Sequence, residues 1–272
     1  MKKVALITGA SSGMGKATAN ILYSQGYTVY GAARRTDEMN DLKAKGMGIV
    51  SLDLTNDSSI MEAVNTILEK EGRIDILVNN AGYGSYGAVE DVPLDEARRQ
   101  FEVNLFGMAR LTQLVLPTMR AQKSGRIVNI SSMGGKIYTP MGAWYHATKH
   151  AVEGWSDCLR LELKEFGIDV VVVEPGIIKT PWGAIATENL RKTSGSGAYA
   201  SLANKIAANF EQMNASKQPT EAEVLGQTIA KAATDKKPKT RYVKGYMAAL
   251  TIAIRKWFGD KVFDKVIMSQ VK

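Results

Sequence analysis

Short apolar runs alternate with amphipathic stretches over most of the chain. Lys3 to Thr8 (KVALIT) lacks the strict apolar–polar alternation of a half-exposed strand and reads as a strand buried on both faces. The pattern then predicts a helix over Lys16–Gln25, a strand over Tyr27–Ala32, a helix over Asp37–Lys45 and a strand over Gly48–Leu52. A helix at Ser58–Lys70 and a strand at Ile74–Val78 come next, then a long helix from Leu94 to Gln122, interrupted or bent near Gly107. Strand Arg126–Ile130, helix Trp144–Phe166 and strand Ile168–Val173 complete the regular part, and IDVVVV is its most strand-prone segment. Strands alternating with helices argue for a parallel sheet with right-handed helical crossovers.

Regularity weakens twice. Pro181 to Pro219 holds an SGSG stretch between weakly amphipathic helical patterns, and segments of this length in compact domains tend to be lids or binding segments. After a helix at Glu221–Ala233 and a strand at Arg241–Val243, the tail mixes Trp257, Phe258, Val262, Phe263, Val266 and Ile267 with Arg255, Lys256, Lys261 and Lys265. A basic amphipathic helix can lie on a membrane or cover the protein's own core or pocket, and the inward reading is preferred. No repeat and no linker divides the chain, so residues 1–272 are expected to form a single domain, with a substrate lid over 180–218 and an amphipathic tail over 247–272.

Composition narrows the function classes. Hydrophobic residues at 45% and charged residues at 23% suit a soluble globular protein, and no apolar run reaches the ~18–20 residues needed to span a bilayer. MKKVALITGA mimics a secretory signal, but its apolar run is too short and ends in a glycine loop. The single cysteine, Cys158, permits no intramolecular disulfide; a reducing cytoplasm fits, and its mid-helix position predicts a core residue. His146 and His150 share a helix face, yet no acidic or thiol ligand completes a zinc set, so no metal site is expected. The net charge of +8 comes from scattered residues without aromatic interleaving, which argues against nucleic acid and for an anionic cofactor plus a basic tail.

The first strand runs into T-G-A-S-S-G-M-G, in which Gly9, Gly13 and Gly15 frame Ser11, Ser12 and Met14. Glycines here let the chain turn tightly, bring bare backbone to a pyrophosphate and point a helix N-terminus at its charge. The end of the second strand selects the nucleotide. A carboxylate there would hold the ribose 2′-hydroxyl of NAD, but the chain reads Gly31-Ala32-Ala33-Arg34-Arg35. Forked guanidiniums suit a phosphate, so the cofactor is expected to be NADP(H), with Arg34 on the 2′-phosphate, helped by Arg35, Ser11 or Ser12. Asp53, followed by Leu54, either accepts from the adenine amino group or caps the next segment.

Proton chemistry gathers between Ser132 and Lys149. Tyr145 and Lys149, at i and i+4, share one helix face if the segment from Trp144 is helical. A phenol holds its proton to a pKa of ~10, and a neighbouring ammonium favours the phenolate, so the pair is expected to exchange a proton near neutral pH. Ser132, on the turn before that helix, is placed to hydrogen-bond the oxygen whose charge changes.

These residues, with Asn79-Asn80-Ala81-Gly82, Asn104 and Pro175-Gly176, appear in the order and spacing of the short-chain dehydrogenase/reductase family, which the chain resembles over positions 8 to 180. The resemblance implies a doubly wound (Rossmann) α/β fold of about seven strands, ordered near 3-2-1-4-5-6 with Arg241–Val243 as the seventh. It implies Tyr145 as general acid/base, Ser132 as carbonyl polariser, and Lys149 lowering the phenol pKa and binding the nicotinamide ribose. Asn104 would hold a water relaying protons towards Lys149, in a helix that bends locally. Asn80, Ala81 and Gly82 would shape the adenosine side, and Pro175, Gly176, Ile178 and Thr180 the nicotinamide face. The segments around the motifs look most like the 17β-hydroxysteroid and retinol dehydrogenase branch, which implies a lipophilic carbonyl or alcohol substrate. Tyr83, Tyr86, Ile137, Tyr138, Met141, Trp144 and Trp182 would supply apolar walls, or ordinary packing. A homodimer or homotetramer is the family expectation. A non-catalytic NADP(H)-binding sensor or scaffold is the rival reading, although such a protein would be expected to lose part of the Ser–Tyr–Lys set.

Overall fold

A computed structural model describes residues 2–271; Met1 and Lys272, the ends of the expected domain and tail, lie outside the described residues. In chain order the strands are β1 (Val4–Thr8), β2 (Thr28–Ala33), β3 (Gly48–Ser51), β4 (Ile76–Asn79), β5 (Gly125–Ile130), β6 (Ile168–Pro175), β7 (Ile178–Lys179), β8 (Thr220–Glu221) and β9 (Arg241–Lys244). The helices are α1 (Gly13–Ser24), α2 (Asn40–Ala44), α3 (Asp57–Glu71), α4 (Leu94–Phe101) and α5 (Gly107–Ala121) in the first half. α6 (Ala143–Glu162), α7 (Pro181–Ser194), α8 (Ala200–Ala215), α9 (Ala222–Thr234) and α10 (Ala248–Ser269) follow.

Seven strands form one parallel sheet in the order β3-β2-β1-β4-β5-β6-β9, the expected doubly wound arrangement. Successive β1 residues feed opposite faces, as a strand's two-residue period requires. Val4 and Leu6 join Ile60, Val64, Leu111 and Val115 of α3 and α5, while Ala5 and Ile7 join Leu22, Leu225 and Ile229 of α1 and α9. Each fully buried Leu or Ile contributes about 1.5–3 kcal/mol, so both helical layers are held by the sheet they cover. The candidate functional residues lie where the strands end, in the loops that leave their carboxyl edge and on the helical segments that follow.

Two elements sharpen the sequence reading. The long helix from Leu94 is α4, a π-helical turn over Glu102–Phe106, and then α5, so the bend falls just before Gly107. The irregular Pro181–Pro219 stretch is mostly helical, as α7 and α8, with β7 and β8 forming a small parallel pair. Cys158 corrects an expectation: it lies exposed on α6 instead of in the core, because the inward positions of that helix fall on Val152, Ser156 and Leu159.

Candidate active site

The glycine loop is built for close approach. Gly13 has φ +54, and a Cβ on Gly15 would stand 2.4 Å from the Gly9 carbonyl oxygen, so a side chain there would break the loop. Ser12 caps α1 without a side-chain hydrogen bond, which leaves the first-turn N–H groups of the helix pointing outward past Ser11 and Met14. The Asn80 amide packs on this loop, donating to the Thr8 carbonyl at 2.9 Å. The Thr8 hydroxyl in turn accepts from the backbone of Asn80 and Ala81 at 3.0 and 2.9 Å. Thr180, at the start of α7, faces the loop from the other side, its Cγ2 3.2 Å from where a Gly13 Cβ would be. Glycine backbone, a free helix start and a facing threonine fit a dinucleotide pyrophosphate.

At the end of β2 the two arginines differ. Arg35 is paired with Glu38 at 3.0 Å, whereas Arg34 has no carboxylate within ion-pair distance among the described residues. Asp53 caps a turn: its Oδ1 accepts from the Thr55 N–H and hydroxyl at 2.9 and 2.8 Å. Partial burial pulls the Asp53 carboxyl up, but the Thr55 bonds and the Arg34 and Arg99 guanidiniums together hold it below the usual carboxylate range. Leu54 belongs with the core, buried against the α3–α5 side, because its apolar side chain has a sheet face to cover.

Ser132 lies beside the Tyr145 phenol, and Lys149 follows one turn later on α6. Tyr145 is buried, and burial pushes its phenol up to about 12, with a hydrogen bond to Ser132 opposing the rise. The expected lowering by Lys149 is absent. Its ammonium donates instead to the Ile130 carbonyl at 2.9 Å, and burial pushes it down to about 8 against the pull of Glu153. Asn104, turned inward by the π-helical turn, is also more committed than a water holder would be. Its amide nitrogen donates to the Tyr83 carbonyl at 2.9 Å and to the Thr148 hydroxyl at 3.1 Å, and its oxygen accepts from the Tyr83 N–H at 3.0 Å. A Cβ on Gly82 would lie 3.0 Å from that oxygen and 3.7 Å from the Lys149 nitrogen, so the two side chains share one small space.

The expected apolar walls divide. Tyr86 and Trp182 pack on the Tyr145 ring, with centroids 5.7 and 5.2 Å away, and Met141 joins them. Phe210 of α8, which no motif marks, meets Tyr86 edge-on at 5.6 Å. Ile137 and Tyr138 instead pack under α10 with Phe263. Tyr83 turns away and donates to Glu96, and Trp144 stays half-exposed. Pro175 and Gly176 are fixed by the end of β9, since the Gly176 N–H donates to the Lys244 carbonyl at 2.9 Å; Ile178 packs onto the core beyond.

Two features behind the site carry no sequence signal beyond single residues. His146 pins the Ser132 loop to α6, its Nδ1 2.9 Å from the Gly134 carbonyl and its Nε2 accepting from the Thr139 N–H at 3.0 Å. Glu153, one turn beyond Lys149, lies in a buried cluster with Glu174 of β6, served by Lys136 and Arg241. Burial and the neighbouring Glu153 carboxylate push Glu174 up to about 7. Among the described residues no cluster of His, Cys, Asp or Glu could hold a metal ion, and no helix is long and apolar enough to cross a membrane.

Comparisons with known proteins agree with this geometry. The short chain dehydrogenase family model matches residues 3–191. The chain is 36% identical to a 3-ketodihydrosphingosine reductase from Bacteroides thetaiotaomicron over 96% of this chain and 95% of that protein. It is 34% identical to an NADPH-dependent 3-dehydrocapnine reductase from Ornithobacterium rhinotracheale, over 99% and 98%. Among solved structures, a short-chain dehydrogenase from Streptomyces avermitilis superimposes with a TM-score of 0.78 at 35% identity, covering 94% of this chain and 96% of that one.

Proposed function

Because the chain belongs to the short-chain dehydrogenase/reductase family and is an NAD(P)-dependent oxidoreductase acting on CH–OH groups, we propose that it reduces a lipophilic ketone or aldehyde with NADPH. NADPH, when bound, supplies the hydride. Tyr145 supplies the proton: its hydroxyl donates to the carbonyl oxygen as the C–H bond forms, and the alcohol leaves with both. A phenol pushed up to about 12 is protonated throughout the neutral range, so the acid form stands ready. Ser132 steadies the same oxygen by a hydrogen bond, and Lys149 stays largely charged below pH 8 beside the site. Asn104 serves as a positioning residue, fixing the Tyr83 turn and Thr148. Gly9, Gly13 and Gly15 cradle the pyrophosphate and Arg34 takes the 2′-phosphate.

The observation that carries the substrate reading is the aromatic wall. Tyr86, Trp182 and Met141 pack about the Tyr145 ring, with Phe210 against Tyr86, and offer a carbonyl compound an apolar seat with one polar corner. Two relatives reduce a 3-ketodihydrosphingosine and a 3-dehydrocapnine, which supports a ketone on an apolar chain. Substrate reaches the phenol when α7 and α8, acting as the lid, move Trp182 aside.

Titration of the pure protein with NADPH and NADH, followed by nicotinamide fluorescence, tests the cofactor. Tighter NADPH binding that weakens about 10- to 100-fold in Arg34→Ala is expected, since a charge-assisted contact is lost. Equal binding of both, unmoved by that change, would remove NADP preference. Tyr145→Phe should keep NADPH binding and lose about 10²- to 10⁴-fold in turnover of a hydrophobic ketone. Full turnover in that variant would sink the proton-transfer scheme.

A further inference from the structure

α10 serves two environments at once. Ala248, Thr251, Phe263 and Ile267 are buried against the domain, with Phe263 edge-on to Tyr138 at 5.2 Å. That agrees with the inward reading of the tail. The rest of the helix does not hide. Leu250 is 56% exposed, Trp257 75%, Phe258 64% and Val262 42%, and Trp257 is the most exposed large apolar side chain described. Gly259, at φ 72 and ψ −176, breaks the helix directly after Trp257 and Phe258 and sets the two rings at a projecting corner.

The charge left unpaired along this segment is positive. Lys256, Lys261 and Lys265 are exposed, and none has a carboxylate within ion-pair distance among the described residues. The helix's own acids are engaged: Asp260 pairs with Arg255, and Asp264 accepts from the Tyr138 hydroxyl at 2.8 Å. Lys256 lies over the Trp257 ring, 5.2 Å from its centroid. An exposed Trp–Phe pair with Lys256 over one ring, and unpaired Lys261 and Lys265 on the next turns, combines an apolar wedge with cationic charge. Tryptophan is the side chain that settles best at a headgroup boundary, and lysine stems reach from apolar surface to phosphate.

We propose that the outer face of α10 docks on an anionic lipid surface, with Trp257 and Phe258 entering the headgroup–acyl boundary and Lys256, Lys261 and Lys265 meeting lipid phosphates. A second copy of this chain is a poorer occupant. A two-fold interface on this face would bring the same three lysines together from both sides, while the acids of the helix, Asp260 and Asp264, are already engaged by Arg255 and Tyr138. Neutral membranes are poorer still, since three or more cations would gain nothing. The attachment is peripheral, because no described helix is able to cross a bilayer.

Its place gives the docking a use. α10 lies on the turn after Ser132, through Phe263 on Tyr138 and the Thr251 hydroxyl 3.8 Å from the Met133 sulfur. Docking would hold that side of the active site at the lipid surface. Delivery of substrate from the bilayer rests on the lipophilic-substrate reading; the docking itself does not.

Co-sedimentation of the full chain with vesicles tests the proposal without using activity. Binding is expected to phosphatidylglycerol–phosphatidylcholine vesicles but not to pure phosphatidylcholine, and to fall as salt rises. Each Lys→Ala change should weaken partitioning about fivefold, the effect of one charge near an anionic surface. The double change W257S/F258S should abolish binding at moderate salt. All these variants should keep wild-type turnover of a water-soluble carbonyl without vesicles, so a failure of docking stays separate from a failure of the reductase reading. No partitioning, or partitioning indifferent to the lysines, overturns the proposal. So does light scattering showing a dimer or tetramer that W257S/F258S converts to monomer, because another copy then covers the face.

Discussion

His146 sits between two opposite demands: the Gly134 carbonyl requires a donor and the Thr139 N–H requires an acceptor. A neutral ring with its proton on Nδ1 meets both, so protonation would set N–H against N–H in a buried place. Burial accordingly pushes the imidazole from 6.5 down to about 4. Because the folded value lies below the unfolded one, the unfolded chain binds more protons between them, and stability is lost as pH falls from 6.5 towards 4. His146→Gln should lose about 1–3 kcal/mol at pH 7, from the broken pair of bonds, and then decline less than wild type across that window. Thermal melts at several pH values check it; parallel curves for the two proteins would mean another group dominates. Nothing in the sequence announced this staple, since His146 reads there only as one of two histidines on a shared helix face. Tyr145 and Lys149 were legible from their i, i+4 spacing, and Ser132 from its place in the ordered set of motifs. The direction of the phenol shift was not, because it depends on burial by Trp182 and on the Ile130 carbonyl that anchors the ammonium.

Between α4 and α5 the chain inserts a wider turn, and this places a whole element in register with the site. The π-helical turn rotates Asn104 inward, and Gly107 then lets α5 run against the loop after β3. A Cβ at Gly107 would lie 2.1 Å from the Leu54 carbonyl oxygen, which cannot yield as a flexible side-chain tip would. Gly107→Ala should therefore destabilise by about 1–3 kcal/mol or more and weaken NADPH binding by disturbing the Asn104–Tyr83 turn. Gly154→Ala on α6 is the control: a Cβ there meets nothing within 4 Å, and the change should stabilise by about 0.5–1 kcal/mol. Equal effects at the two glycines would refute the close-approach argument. The sequence signalled a bend near Gly107 but not its form. One glycine in a helical pattern marks a possible interruption, whereas a π turn is chosen by the Tyr83 and Thr148 groups that Asn104 must reach.

Across the molecule, the catalytic helix is tied to the sheet by charges far apart in sequence. Lys136, Glu153, Glu174 and Arg241 come from a loop, α6, β6 and β9, and each is unremarkable where it stands in the chain. Parallel strand order was readable from alternation and motif order, but this meeting of four elements has no local pattern. Its signature is a pH effect. Glu174 is pushed from 4.5 up to about 7, so the folded chain holds a proton more tightly than the unfolded chain between those values. Stability contributed in this way is complete below pH 4.5 and is lost as pH rises through 7. Glu174→Gln should remove that alkaline-side decline, leaving Tm at pH 8 a few degrees closer to its value at pH 5 than in wild type. Calorimetry at the two pH values reads the difference, and an unchanged gap would assign the decline elsewhere.

The last partner in that cluster also arrives last in time. A chain emerging from the ribosome presents the glycine loop, Ser132, Tyr145, Lys149 and Glu174 before β9 has been made, yet Arg241 on β9 forms ion pairs with both buried acids. Until that strand pairs with β6, Lys136 is the one described cation within ion-pair distance of Glu153 and Glu174, and the cleft between α6 and β6 resists drying out. Every chemical motif is therefore translated well before the scaffold that holds it can close, and final commitment to the native state waits on the closing strand at the sheet edge.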